Sequence, residues 1–230
     1  MKINAEFDQR VVVHSELLEW INSPMAGVSR RPLDRVGKEV ARATTIVRYE
    51  PGSQFSPHVH GGGEEFVVLE GVFQDEHGDF PVGSYIRNPP TSQHTPGSKE
   101  GCIIFVKLWQ FDPKNRIHAR LNSNFMHAIP HRDFPGVAVI PLYKDEFEEV
   151  EIQDWHANTT ITIDAKDGIE ILVLSGEFSD SIDTLTKHSW LRMPVGSQFN
   201  VTSGEAGAKV WIKRHNLIHV DSQINFLSSI

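Results

Sequence analysis

The chain has 230 residues, with 22 Lys+Arg against 30 Asp+Glu (formal net charge −8), 12 His and a single Cys. Hydrophobic residues at 39% and charged residues at 23% are ordinary for a globular protein and exclude global disorder, and the length allows one large domain or two small ones. No apolar run approaches the roughly 18–20 residues of a membrane span, and the first residues, Met1 to Glu6, lack the apolar segment of a secretory signal. A cytoplasmic location without membrane association is therefore expected, and Cys102 reads as a small buried hydrophobe. Nucleic acid is not an expected partner. The one basic cluster, Arg30, Arg31, Arg35 and Lys38, is interrupted by Asp34 and Glu39.

In chain order, Ser15–Ile21 is the one stretch that could form a helical turn or two. Short runs rich in β-branched and aromatic residues follow at 41–50, 66–73 and 102–111, and again at 159–164, 169–178 and 209–214. Glu76-His77-Gly78-Asp79 has the composition of a hairpin tip, with Gly78 free to take a positive φ. Many short strands separated by frequent turns predict an all-β sandwich or barrel.

The sequence also repeats. Gly27-Val28 with Pro32-Leu33 recurs 109 residues later, at Gly136-Val137 with Pro141-Leu142. Val68–Phe73 recurs as Val173–Phe178, and Arg87, Pro89, Ser92 and Gln93 recur as Arg192, Pro194, Ser197 and Gln198, both at an offset of 105. Three segments repeated in the same order predict a duplicated β-domain, divided as 1–115 and 116–230.

The chemistry concentrates between Pro51 and Glu65. His58 and His60 are two apart, so on a strand their imidazoles share a face. Gly61-Gly62-Gly63 makes a turn that can return Glu64 beside them, and His94 follows on a later turn. Three imidazoles and one carboxylate suit a borderline divalent ion, and six-coordination would leave two positions open.

Gly52, His58, His60, Glu64 and Gly71 resemble the first cupin motif, G-x5-H-x-H-x3,4-E-x6-G, at every fixed position. Gly83, Pro89 and His94 resemble the second motif, with Thr91 in place of its internal Gly and Ser98 in place of its final Asn. Glu65 also fits the spacing from His60, but Glu64 alone leaves six residues before Gly71. The run from Gly61 to Pro90 is similar to the ChrR-type cupins, which include the cupin domain of an anti-sigma factor. The resemblance implies two RmlC-like jelly-roll (double-stranded β-helix) barrels in tandem and one mononuclear metal held by His58, His60, Glu64 and His94. Zinc is the metal it favours, with iron, manganese or nickel also suited.

At the 105-residue offset these ligands fall on Ile163, Ala165, Ile169 and Phe199, so the second copy is expected to bind no metal there. His118, His127 and His131 cluster loosely in sequence, and nothing in the pattern indicates a helix joining His215 to His219. Phe66 and Val68 share the parity of Glu64, and Tyr49, Phe55 and Phe105 are candidate apolar walls. The resemblance implies a small-molecule ligand, with metal-dependent cleavage of β-diketones or hydroxyacetophenones by a dioxygenase as one form and an anti-sigma-related sensing module as another. A sigma factor is a weak expectation as partner, since no Cys-containing helical anti-sigma segment is seen. A homodimer is compatible with the sequence.

Overall fold

A computed structural model describes residues 1–228. It is built mostly of strands, as the β-branched runs predict. The chain divides into two compact units. Among the described residues, one comprises Met1–Ala5, Glu19–Phe125 and 221–228, and the other comprises Glu6–Leu18 and Met126–Val220.

The first unit is an antiparallel barrel. Its main sheet runs in the order Lys2–Ile3, Val28–Gly37, Ala41–Tyr49, Cys102–Leu108, Glu64–Asp75, Ser84–Asn88 and Ala119–Asn122. A separate short ladder pairs His58–Val59 with Gln93–His94. Alternation along the long strands buries Phe66, Val68, Phe73, Ile86, Ile104 and Val106 in one cluster. Glu64 has the parity of Phe66 and Val68, as expected, which aims it into the barrel. Phe105 does not: it pairs with Ile46 and Val67 on the opposite face of the sheet, because odd-numbered residues of its strand point away from Ile104 and Val106.

The second unit repeats the plan, in the order Ile129–Pro130, Val137–Lys144, Glu149–Trp155, Ser197–Arg214, Ile169–Ser179, Ser189–Met193 and Val11–His14. Its core gathers Trp155, Ile161, Ile163, Ile169, Ile171, Phe178 and Val210.

A cut at 115/116 does not coincide with these units. Val11–His14 completes the second sheet by pairing with Ser189–Met193, and Ala119–Asn122 completes the first by pairing with Ser84–Asn88. Edge strands are recruited by unpaired backbone groups, to which a sequence repeat gives no clue. Ser15–Leu17 is a single 3-10 turn. The α-helix, Val220–Ser228, was not expected: nine residues are too few for a helical period to stand out. Its Gln223 accepts from Arg42 Nε at 2.9 Å and donates to the Gln110 carbonyl at 2.9 Å, within the first unit.

Candidate metal centre

The site is assembled by two tight turns. Gly61–Gly63 reverses the chain between His60 and Glu64, and it must be free of side chains: a Cβ on Gly62 would come 2.2 Å from Trp109 Cδ2, and one on Gly63, at φ +80°, 2.5 Å from Phe111 Cδ2. The second turn, Pro89–Ser92, is tied to the first. The N–H of His60 donates to the Ser92 carbonyl and the N–H of Thr91 to the His60 carbonyl, both at 2.8 Å. Thr91 takes φ +73°, the left-handed conformation that explains the glycine of the cupin motif and that Thr adopts only under strain.

His58, His60, Glu64 and His94 meet. Each offers a donor atom within 4.8 Å of the others, and among the described residues no other His, Cys, Asp or Glu group meets that test. The imidazole centroids are 4.6–5.0 Å apart, and His94 lies opposite His58 in register. His60, Glu64 and His94 are buried, with His58 the most exposed of the four. Glu65 points the other way and binds Arg87 at 2.7 Å, which separates the two adjacent carboxylates. His118, His127 and His131 form no such group. His219 ends a 3-10 turn just before the helix, while His215 lies outside that turn at φ +68°.

Hydrogen bonds settle which nitrogen of each ring carries the proton. Ser92 Oγ donates to the Pro89 carbonyl at 2.6 Å, so at 3.0 Å from His60 Nδ1 it must accept. His94 Nδ1 lies 3.3 Å from Asp75 Oδ2, and His58 Nδ1 lies 3.4 Å from the Ser56 carbonyl, both acceptors. In the neutral rings all three Nε2 atoms therefore keep their lone pairs. Those of His60 and His94 are buried without a hydrogen bond, 3.3 and 3.5 Å from Glu64 Oε2. Such buried acceptors are costly unless something binds them, and this donor set fits a divalent cation.

The electrostatics agree. Burial opposes ionisation of Glu64, but His60, His94 and the Asn88 amide, 3.2 Å from Oε2, outweigh it and hold the carboxyl at about 2. Burial, with the neighbouring rings, favours neutral His58. Burial also opposes charge on His94, but Asp75 and Glu64 overcome it and favour the protonated ring. A cation in the centre would compete with that proton.

Three supporting residues escaped the sequence reading. Ser92 and Asp75 recur as Ser197 and Asp180 in the second copy and so look like framework. Asn88 is different: the repeat places Met193 at its position, so it changed together with the ligands, and that was a readable signal. Asp75 also lines a cleft of about 370 Å³ with Phe55, Gln74, Thr95 and Lys99. Tyr49 packs edge-on against Phe55 and Phe73, as a core residue.

Residues 8–112 match the model of the ChrR cupin-like domain, and they contain both motifs and all four clustered side chains. The chain has the cupin fold. Among solved structures, a candidate dioxygenase from Nostoc punctiforme is 14% identical and covers 89% of this chain and 82% of its own, at a TM-score of 0.73. Ylba from Escherichia coli is 14% identical over 92% of this chain and 93% of its own, at 0.67. The nickel(II) complex of the bacterial pirin YhhW, also from Escherichia coli, is 12% identical over 90% and 98%, at 0.64. At these identities the likeness establishes the cupin fold. No curated protein sequence matches the chain. No helix among the described residues is long and apolar enough to cross a membrane.

Proposed function

We propose that the first cupin barrel holds one divalent metal ion through His58, His60, Glu64 and His94, and that it binds a small organic molecule with paired oxygen donors beside it. The observation that carries this reading is the pair of buried, unbonded Nε2 atoms of His60 and His94 facing an ionised carboxylate. Zinc is the expectation from the family, and iron, manganese and nickel suit the same ligands. When bound, such an ion supplies Lewis acidity to a coordinated oxygen.

The protein's part is positioning. Ser92 and Asp75 hold the imidazoles of His60 and His94 in the tautomer that leaves Nε2 free. Asn88 fixes one Glu64 oxygen. The more open His58 side is where a ligand can approach, while the Phe66–Phe73 cluster keeps the inner side dry.

The test is calorimetry with acetohydroxamate, a paired-oxygen ligand. One-to-one binding to metal-loaded protein and none to stripped protein is expected. No binding, or equal binding to both forms, contradicts the reading.

A second reading, oxygen-dependent cleavage of a dicarbonyl or phenolic ketone, is favoured by the description of the Nostoc neighbour as a candidate dioxygenase. It predicts oxygen uptake by the iron(II)-loaded protein with acetylacetone or a hydroxyacetophenone. Inactivity across such a panel, with iron verified in the protein, removes it.

A further inference from the structure

The barrel without the ligand set carries a different set of inward-facing polar residues. Tyr49 pairs with Cys102 and Ala43 with Leu108 in the first barrel, and Trp155 pairs with Ala208 and Glu149 with Arg214 in the second. This register, an offset of 106, puts Glu151 at the place of Thr45, Gln153 at that of Val47 and Arg214 at that of Leu108. All three share strand parity with core residues, Trp155 in one strand and Val210 and Ile212 in the other. Polarity has left the wall of Ile163 and Ala165 and appeared on a neighbouring wall.

The new groups form a chain. Trp155 Nε1 donates to Gln153 Oε1 at 2.7 Å, and Gln153 Nε2 donates to Glu151 Oε1 at 2.8 Å. Arg214 Nη1 donates to the same Glu151 oxygen, and Glu151 Oε2 receives none of these bonds. Gln153 is 2% exposed and Glu151 9%. A buried ion pair is often no better for stability than apolar residues of similar volume. Stability alone therefore gives no reason to exchange Thr45 and Leu108 for Glu151 and Arg214.

These residues line a cleft of about 270 Å³, whose other side is formed by Ile161 and Ile163 with the rings of His131 and Phe134, which lie 4.7 Å apart. His131 Nδ1 accepts the N–H groups of Asp133 and Phe134 at 3.0 and 3.2 Å, so that nitrogen carries no proton. Glu149, whose Oε1 accepts from Lys144 Nζ at 2.9 Å, and Asp164 complete a lining with three carboxylates and one guanidinium, and Asp164 leaves the balance negative once both ion pairs are counted. A purely apolar guest would strip water from Glu151 without replacing it, and an anion would meet net negative charge.

We propose that this cleft in the second barrel binds a small organic cation, an amine or guanidine. Its charge sits at Glu151, its carbon chain lies on Ile161 and Ile163, and the His131–Phe134 pair gives an aromatic face. The proposal is independent of the metal reading.

The test is calorimetric titration of the metal-loaded full chain with agmatine, with butyrate as the anionic control. Saturable agmatine binding without butyrate binding is expected, weakened at least tenfold in Glu151→Gln and in the double variant Glu151→Thr/Arg214→Leu, which restores the residues of the first barrel. Glu151→Gln keeps the carboxylate's shape and serves if the double variant fails to fold. Unaltered metal content in both variants separates a failure here from a failure of the metal site. No agmatine binding, binding of equal strength in the variants, or preference for butyrate overturns the proposal.

Discussion

The two barrels carry nearly the same frame around opposite interiors. His58 pairs with His94 in one, and Ile163 pairs with Phe199 at the equivalent place in the other. Gly71 and Gly176 adopt φ +69° and +70°, and a Cβ on either would strike the carbonyl of a glycine opposite, Gly101 or Gly207, at 2.1–2.2 Å. Glu65 faces Arg87 in register as Glu170 faces Arg192, all four buried. Backbone geometry and buried framework pairs are thus shared whether or not the ligand set is present. An imidazole pair without a cation leaves buried acceptors unpaired, so a barrel that stops binding metal is more stable with Ile and Phe in those places.

The sharpest way to break this comparison is at the residues behind the ligands. Asp75 holds His94 in the first barrel, while its counterpart Asp180 binds Arg10 at 2.8 Å in the second. Asp75→Asn is expected to weaken metal affinity about 10–100-fold, measured by competition with a chelator. Unchanged affinity would remove Asp75 from the site. Ser92→Ala, which frees the His60 tautomer, should fall in the same range.

Asp180→Asn should leave the metal untouched and cost stability instead. Burial opposes ionisation of Asp180, but the backbone N–H groups of Asp183 and Ile182 and the Arg10 guanidinium hold its carboxyl below the ordinary range. Its folded pKa lies below its unfolded one. Its contribution is therefore present above the usual aspartate pKa and is lost as the pH falls through the folded value. The variant should melt a few degrees lower than wild type near neutrality, and the two curves should converge in acid. A constant difference at every pH would contradict the assignment.

The smallest effect is expected at Thr91. Relief of its left-handed conformation in Thr91→Gly should stabilise the chain by about 1 kcal/mol, read from denaturant midpoints, with metal content unchanged. A loss of stability would mean that the hydroxyl or methyl group contributes more than the backbone costs.

Much of this was legible before the structure. The spacing of His58, His60 and Glu64 encodes a strand, a glycine turn and a second strand, and these fix the cluster locally. The choice of Glu64 over Glu65 followed from the six residues it leaves before Gly71, and strand parity agrees, since adjacent strand residues face opposite ways and Glu64 shares the barrel interior with Phe66. The duplication was legible because three segments recur in the same order, two of them around glycines that take positive φ. What was hidden depends on long-range pairing. Val11–His14 and Ala119–Asn122 join sheets far from them in sequence, and the Asp75 contact with His94 spans two turns. The charged chain of Glu151, Gln153 and Arg214 lies in strands whose alternation looks ordinary, and only the register showed that these side chains point inward.

Under the proposed function, four side chains decide that a metal is held in one barrel and none in the other. The most direct measurement is metal content per chain, by elemental analysis, for wild type and for the variant carrying His58→Ile, His60→Ala, Glu64→Ile and His94→Phe, which writes the second barrel's residues into the first. One ion per wild-type chain and none in the folded variant is the expected result; two ions in wild type, or metal retained in the variant, would contradict it.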